Sequence, residues 1–199
     1  DLSGAVLTGA DLENAILTGA KLITDGTNTA KLMGATLTGA KLSKADLTGA
    51  DLGANSGTAT NLVGADLTGA ILKNADLASA ILVNDTVGSK AANLEKADLT
   101  GADLTATVFS VTHSVSEVVT AANLTRAILT GANLNGRDLT NVDFEKADLS
   151  GANLSSADLE NAILTGAKLI TDGTTSNNGV TSDTSGTVNL SGATLTNAK

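Results

Sequence analysis

The chain has 199 residues, a formal net charge of −9 and a pI of about 4.4, and it contains no cysteine, proline, tryptophan or tyrosine. Its acidity argues against the nucleic-acid backbone as a partner, and the absence of cysteine excludes disulfides, thiolate catalysis and zinc–cysteine sites. No stretch of the sequence approaches the roughly eighteen apolar residues that a membrane span needs.

Leucine recurs every five residues from the start of the chain, first at Leu2 and Leu7. A small residue, usually alanine, lies two positions before nearly every one of these leucines, and Thr60, Arg137, Val142 and Val188 are exceptions. On extended backbone, residues two apart point to the same side, so both side chains of a pentapeptide face inward. The next pair also faces inward only if the chain turns between them. Each pentapeptide is therefore predicted to form a short straight side followed by a corner, where glycine, asparagine or serine suits the geometry.

The pentapeptides ADLTG, ANLSS, ADLEN, AKLSK and AILTG resemble the pentapeptide-repeat family, whose signature is Ala-(Asp/Asn)-Leu-x-x. The resemblance covers about three-quarters of the chain. It implies an all-β fold, a right-handed quadrilateral β-helix (a solenoid) with four pentapeptides in each coil. The twenty-residue interval between Leu104 and Leu124 is consistent with four sides. We predict that residues 1–199 form a single such domain of about eight to nine coils, with loop insertions.

Five breaks interrupt the repeat, near residues 23–29, 53–60, 83–91, 105–120 and 170–187. The simplest interpretation is that they are surface loops. The first three follow Leu22, Leu52 and Leu82, thirty residues apart, which is one and a half coils. The spacing therefore predicts loops on alternate faces, with the first and third on the same side.

The oxygen-rich breaks contain the only candidate ligands for a metal. Hard cations such as calcium prefer these oxygen ligands. The candidates are Asp25 and Asn28 in the first break, and Asp172, Asn177, Asn178 and Asp183 in the last. The spacing of a calcium-binding loop, Asp-x-(Asp/Asn)-x-(Asp/Asn)-Gly, is absent, so we predict neither a metal nor a cofactor.

The fourth break is the most apolar and has two interpretations. It is either a degenerate coil in which Phe109 plugs the core, or a short β-arm that docks on another protein through Phe109, Val111 and Val115. Glu117 would occupy an inward position if the repeat continued, and burying a carboxylate is costly, which favours the protruding arm. His113 has no nearby partner for catalysis or metal binding and is predicted to be a solvated residue.

No motif for catalysis is present: the sequence lacks phosphate-binding loops, dinucleotide fingerprints and nucleophile elbows. Most aspartates fall in the position just before the leucine, which points outward, and we interpret them as a solvated face. The chain is therefore predicted not to be an enzyme.

The end of the chain copies its beginning: residues 157–174 are identical to residues 10–27. Repeats run from Leu2 to Leu195 without a visible cap, and an uncapped β-helix end exposes unpaired backbone groups over a bare core. Two different, complementary ends make a contact that does not close and so forms filaments. We predict a structural protein that binds itself head to tail, or a segment of a longer tandem rod. The predicted contact residues at the ends are Asp1, Leu2, Leu7, Leu190 and Leu195.

Two other classes of function remain open. The chain is alternatively a protein-interaction module that uses its loops, or a DNA-mimicking rod that binds topoisomerase, as some members of the family do. Lysines such as Lys41 and aliphatic residues such as Ile71 interrupt the acidic positions and weigh against the mimic. The small, Thr- and Ala-rich composition favours an extracellular or cell-surface location, with a periplasmic or lumenal one as the alternative.

Overall fold

The computed structural model describes residues 1–23, 28, 30–33, 35–53, 56–83, 90–112 and 119–169. These residues wind into a column of parallel coils. The outward residue before each inward leucine pairs with its equivalent in the next coil, as Ile128 does with Asp148 and Asp143 with Ile163. Both pairs are twenty residues apart, which is four pentapeptides, so each coil has four sides.

We name the four faces A to D by the outward residues that stack on them, and a coil begins at each face A residue. Face A presents Asp1, Lys21, Asp46, Ile71, Asp98, Ile128, Asp148 and Lys168. Face B presents Val6, Lys31, Asp51, Asp76, Asp103, Asn133 and Asn153. Face C presents Asp11, Thr36, Asn61, Ile81, Val108, Asp138 and Asp158. Face D presents Ile16, Lys41, Asp66, Asn93, Asn123, Asp143 and Ile163. The described residues thus hold seven complete coils, from residues 1–20 to residues 148–167, and the total of eight to nine stays a prediction.

Three kinds of backbone hydrogen bond join each side to its neighbours. The leucine N–H donates to the outward residue of the next coil, as from Leu129 to the Asp148 carbonyl at 2.7 Å. The outward residue's N–H donates to the small residue of the preceding coil, as from Asn153 to the Ala132 carbonyl at 2.9 Å. A third bond joins the corners, as from Gly131 to the Ser150 carbonyl at 3.0 Å. Each coil is therefore held by its two neighbours and not by itself.

The corners have the geometry of type II turns. In one of them, the Ala132 N–H donates to the Leu129 carbonyl at 3.0 Å, and Gly131 between them has a φ of 69°. Glycine adopts this left-handed backbone without strain, and asparagine tolerates it, whereas other residues pay roughly 1–2 kcal/mol. The prediction of a straight side followed by a corner is confirmed.

The interior is a narrow column of leucine and alanine. From Leu22 to Ala162 these inward residues are at most 1% exposed, and Phe144 takes one leucine position. Two threonines occupy small-residue positions, and their hydroxyls donate to carbonyls of the preceding coil, from Thr60 to Leu32 and from Thr107 to Leu77. Burying these hydroxyls therefore leaves no unsatisfied polar group.

The fourth break is a β-hairpin, but it begins later than predicted. Strand β1 (Ser110–Thr112) pairs antiparallel with β2 (Val119–Ala121). The coil continues through residues 105–109, because Thr107 and Phe109 fill the small and leucine positions. Phe109 is 1% exposed, so it is a core residue and not the docking residue that the β-arm interpretation required. Val111 lies half-buried in β1, and His113, Val115 and Glu117 lie outside the described residues.

The predicted placement of the loops is wrong. The first insertion lies at the corner between faces A and B, the second between B and C, and the third and fourth between C and D. The reason is that the residues of an inserted loop do not count toward the coil. Val6 pairs with Lys31, which is 25 residues later, whereas a coil without an insertion has 20 residues. Of the thirty residues from Leu22 to Leu52, five are outside the coil and the other 25 make one and a quarter coils. Among the described residues, only the corner between faces D and A has no insertion.

Candidate functional site: the open end of coil 1

The predicted contact residues of the first coil lie at one end of the column. Asp1 is exposed, and Leu2 and Leu7 are only half-buried, as are Leu12 and Leu17. All four leucines pack against the core from one side. Leu190 and Leu195, predicted for the opposite end, lie outside the described residues.

Backbone polar groups of coil 1 lack hydrogen-bond partners among the described residues at this end. In later coils, the N–H and C=O of most outward residues both bond to the preceding coil. The same groups of Val6, Asp11 and Ile16 have no backbone hydrogen bond within the part of the chain that the structure describes. An edge of this kind is a template for another strand edge.

Coil 7 shows what covers such an edge. Residues 148–167 differ from residues 1–20 at only three positions, where Asn153, Ser155 and Ser156 replace Val6, Thr8 and Gly9. In coil 7 the equivalent N–H groups donate to coil 6, from Asn153 to Ala132 at 2.9 Å, from Asp158 to Arg137 at 2.8 Å and from Ile163 to Val142 at 3.0 Å.

The same side chains differ in exposure between these two coils. Ile16 is 76% exposed and its equivalent Ile163 is 37% exposed. Leu12 is half-buried, whereas its equivalent Leu159 is 1% exposed. Within the described residues, coil 1 therefore exposes the surface that coil 6 covers on coil 7.

The outward aspartates do more than face solvent. The Oδ1 of Asp148 accepts hydrogen bonds from the Ser150 N–H at 3.0 Å and from its hydroxyl at 2.5 Å. Asp46 and Asp98 bind Thr48 and Thr100 in the same way. These side chains fix the start of each corner, a role that the sequence interpretation missed. The signal was the Asp-Leu-(Ser/Thr) spacing, because Asp commonly accepts from the backbone two residues on.

Ion pairs form along face A and at the corner between faces D and A. Lys73 binds Asp98 at 3.3 Å, Lys168 binds Asp148 at 3.2 Å and Lys96 binds Glu95 at 2.8 Å. The hydrogen bond and charge of Lys96 lower the pKa of Glu95, and Arg126 adds to the effect. Such exposed pairs contribute little to stability, so the corner is electrostatically balanced rather than strongly charged.

The Asp66 carboxylate accepts hydrogen bonds from two hydroxyl groups, those of Ser43 and Thr68. Burial acts to raise its pKa, but hydrogen bonds from the Ser43 hydroxyl at 2.5 Å and from Thr68 outweigh it, and the pKa lies below its ordinary value. A carboxyl group with a lowered folded pKa stabilises the fold above its unfolded pKa, about 4, and this contribution is lost as the pH falls through the folded pKa.

Ser43→Ala is therefore expected to lower the melting temperature by about 2–4 °C at pH 7, because the charged carboxylate loses a donor. The difference from wild type should shrink as the pH falls from 6 to 3. Melting curves by circular dichroism measure this. Exposed Thr18→Ala serves as the control and should show no such pH trend. A Ser43→Ala deficit that is independent of pH would contradict the role of the charged form.

No cluster of three or more acidic, histidine or cysteine side chains suitable for a metal occurs in the described ranges. Of the predicted ligands, Asp25, Asp172 and Asp183 lie outside those ranges, and Asn28 is an exposed residue within them. Likewise, the described part of the chain contains no helix with the length and apolar character needed to cross a membrane.

A family model for pentapeptide repeats matches this sequence in eight copies, over residues 1–23, 30–52, 58–84, 90–110, 120–155 and 138–170. The chain belongs to the pentapeptide-repeat family. Members of this family form right-handed quadrilateral β-helices, which agrees with the four faces observed here. No curated protein sequence matches this pentapeptide-repeat chain significantly.

Several solved pentapeptide-repeat structures are similar to this one. HetL, involved in heterocyst differentiation regulation in the cyanobacterium Nostoc sp. strain PCC 7120, is 33% identical, with a TM-score of 0.36. The match covers 98% of this chain and 61% of HetL, so the chain spans less than two thirds of HetL. QnrB1, a plasmid-mediated fluoroquinolone resistance protein, is 18% identical over 95% of this chain and 87% of its own, with a TM-score of 0.37. Rfr23 from the cyanobacterium Cyanothece 51142 is 23% identical over 83% of this chain and 84% of its own, with a TM-score of 0.23.

Proposed function

We propose that this pentapeptide-repeat protein is a non-enzymatic structural protein that stacks head to tail into a filament, or that forms one segment of a longer tandem rod. The observation that carries the proposal is the open edge of coil 1. Among the described residues, the N–H and C=O groups of its outward residues Val6, Asp11 and Ile16 make no backbone hydrogen bond, whereas the equivalent groups of coil 7 bind coil 6. An extracellular or cell-surface location is part of this proposal.

Stacking would stabilise this end in two ways. A covering coil would supply backbone hydrogen bonds on each side, and it would remove the half-buried leucines Leu2, Leu7, Leu12 and Leu17 from water. Apolar burial contributes about 25 cal/mol for each Å². The two ends of a rod are different surfaces, so the contact between them is heterologous and propagates instead of closing. In a tandem rod, the cover would come from the same chain by the same contacts.

Asp11→Pro tests the proposal at the backbone. Proline removes an N–H that is free at the edge of coil 1, so the isolated fold should be retained and filament assembly should be lost. The matched control is Asp158→Pro in coil 7, where proline removes the hydrogen bond to the Arg137 carbonyl. That variant should be destabilised. Electron microscopy and light scattering across a concentration series measure assembly, and circular dichroism measures folding.

If the wild-type protein forms only discrete rods at every concentration, the proposal of filament assembly is wrong. Filaments that persist in Asp11→Pro would show that the contact does not use the edge of coil 1.

A protein-interaction module, including an acidic mimic of DNA, is the second candidate. The observation in its favour is that Asp51, Asp76 and Asp103 stack in successive coils on face B. Their spacing is about 4.8 Å, however, whereas duplex DNA carries one charge per about 1.7 Å of axis. A supercoiling assay with a type II topoisomerase tests the mimic, and it fails if micromolar protein has no effect.

A further inference from the structure

Arg137 departs from the repeat, and it does so beside an Asn-Gly pair. It takes a small-residue position, where the equivalent Ala132 is fully buried, but Arg137 is only half-buried. Its Nε donates to the carbonyl of Asn135 at 3.0 Å. Asn135 and Gly136 form the corner between faces B and C of coil 6, and both are exposed. A charged side chain therefore contacts the peptide bond that joins Asn135 to Gly136.

An asparagine followed by glycine has a reactive partner in its own backbone. The nitrogen of the next residue attacks the side-chain amide carbon, and the reaction is fast because both groups belong to one short piece of chain. Glycine has no Cβ to obstruct the attack. Asn135 and Asn178 are the only asparagines that precede glycine in the sequence, and Asn178 lies outside the described residues. Among the described residues, Asn135 is therefore the asparagine most exposed to this reaction.

Two contacts act on the Asn135–Gly136 peptide bond in opposite directions. The guanidinium of Arg137 is always charged, and its hydrogen bond to the Asn135 carbonyl stabilises the negative charge that the peptide gains when the Gly136 nitrogen loses its proton. The Gly136 N–H, however, donates to the Ser155 carbonyl of coil 7 at 2.7 Å. A nitrogen held in this bond keeps its proton and stays directed away from the Asn135 side chain. Arg137 thus promotes the reaction, and coil 7 restrains it.

We propose that Asn135 is a site of self-modification, which is converted to aspartate and isoaspartate when coil 7 opens locally from coil 6. The Gly136 nitrogen forms a bond to Cγ of Asn135, the bond from Cγ to Nδ2 breaks, and Nδ2 leaves as ammonia with the proton of Gly136. Water then opens the resulting succinimide at either of its two carbonyl carbons. Attack at Cγ gives aspartate, and attack at the backbone carbonyl carbon gives isoaspartate. Water is the only reactant besides the chain itself.

The product weakens the contact that restrains its own formation. Both products add a negative charge beside the exposed Asp138, and isoaspartate also lengthens the main chain between residue 135 and Gly136. The bond from Gly136 to Ser155 depends on the shape of both corners, so a longer corner in coil 6 displaces it. The junction of coils 6 and 7 therefore loosens as the protein ages. This inference concerns a single chain and does not depend on head-to-tail assembly.

Peptide mapping by mass spectrometry, after incubation of the purified protein at mildly alkaline pH, tests the modification. Residue 135 should accumulate aspartate and isoaspartate, and a higher pH should speed the conversion because the attacking nitrogen must lose a proton. Asn141 and Asn161 are internal controls, since they also lie at corners but precede valine and alanine. The proposal is wrong if residue 135 stays asparagine for a time in which an unfolded peptide of the same sequence is fully converted.

Opening of coil 7 is tested by core truncation. Leu154→Ala removes buried volume next to Ser155 and is expected to speed the conversion by about tenfold or more. The milder Leu154→Val should act in the same direction. Leu37→Ala in coil 2 is the matched control: it is equally buried, and it should leave the rate nearly unchanged because each coil depends on its neighbours. Equal acceleration in coils 2 and 7 would contradict restraint by coil 7.

Arg137→Ala separates activation from opening. The variant restores the small residue of the repeat, so coil 6 should stay folded. Hydrogen exchange of the Asp158 and Ile163 amides, which bond to coil 6, measures how often coil 7 opens in each variant. At equal opening, conversion of Asn135 should slow by about tenfold, because the charged donor is lost. An unchanged rate at equal opening would overturn the role of Arg137.

Discussion

Leu129→Asp is expected to unfold the coil that contains it and both of its neighbours. Leu129 is fully buried, and its backbone N–H bonds to Asp148 in the next coil, while the carbonyl of the adjacent Ile128 accepts from Leu99 in the preceding one. A buried leucine reduced to alanine already costs about 2–5 kcal/mol, and a desolvated carboxylate adds several more. Because each coil is held by its neighbours, the damage spreads to coils 5 and 7.

Hydrogen exchange and urea titration measure this effect. Amide protection should be lost across coils 5 to 7 and retained in coils 2 and 3. Ile128→Asp is the control: it is the adjacent residue, it is 40% exposed, and it should change the free energy of unfolding by no more than about 0.5 kcal/mol. Wild-type melting of Leu129→Asp would contradict the interior described here.

Leu12→Asp and Leu159→Asp are expected to have very different effects although their surroundings in sequence are identical. Residues 10–27 equal residues 157–174, so local propensity is the same at both sites. Leu159 is 1% exposed in the core, and its replacement should cost at least about 4 kcal/mol. Leu12 is half-buried at the open end, where a carboxylate keeps part of its hydration. Its replacement should cost about half as much or less.

Urea unfolding of both variants measures the difference directly. Leu12→Met and Leu159→Met are the controls, since a change that preserves volume should cost less than about 1.5 kcal/mol at either site. Equal losses of unfolding free energy in Leu12→Asp and Leu159→Asp at every protein concentration would mean that coil 1 is covered within the single chain. Equal losses that appear only at concentrations where the protein assembles would support head-to-tail stacking.

The five-residue period determined which side chains form the interior. Leucine and the small residue two positions before it face inward from Leu22 to Ala162, as predicted. The inward residues could be predicted because the direction of a side chain on extended backbone depends only on its neighbours in the chain. The same reasoning placed the corners, where glycine and asparagine mark the left-handed position.

The sequence was weaker wherever a side chain had a choice of environment. Phe109 was open to two interpretations, because an aromatic residue beside a break suits a core position and a docking arm equally well. The tertiary structure placed it inside, where Thr107 keeps the small-residue position beside it. Asp66 belonged to a set interpreted as solvated, yet its second carboxylate oxygen accepts from Ser43, 23 residues earlier.

What the sequence determined by itself is the repeating unit, its inward residues and its family. What only the tertiary structure decided is which units stack on which, and therefore where the loops emerge and which outward residues share an edge. Stacking depends on how many residues each loop removes from the coil, and that number is fixed where the chain re-enters, as at Lys31 beside Val6. The alignment of Lys44, Lys96 and Lys146 on one corner follows from those offsets and from no local signal.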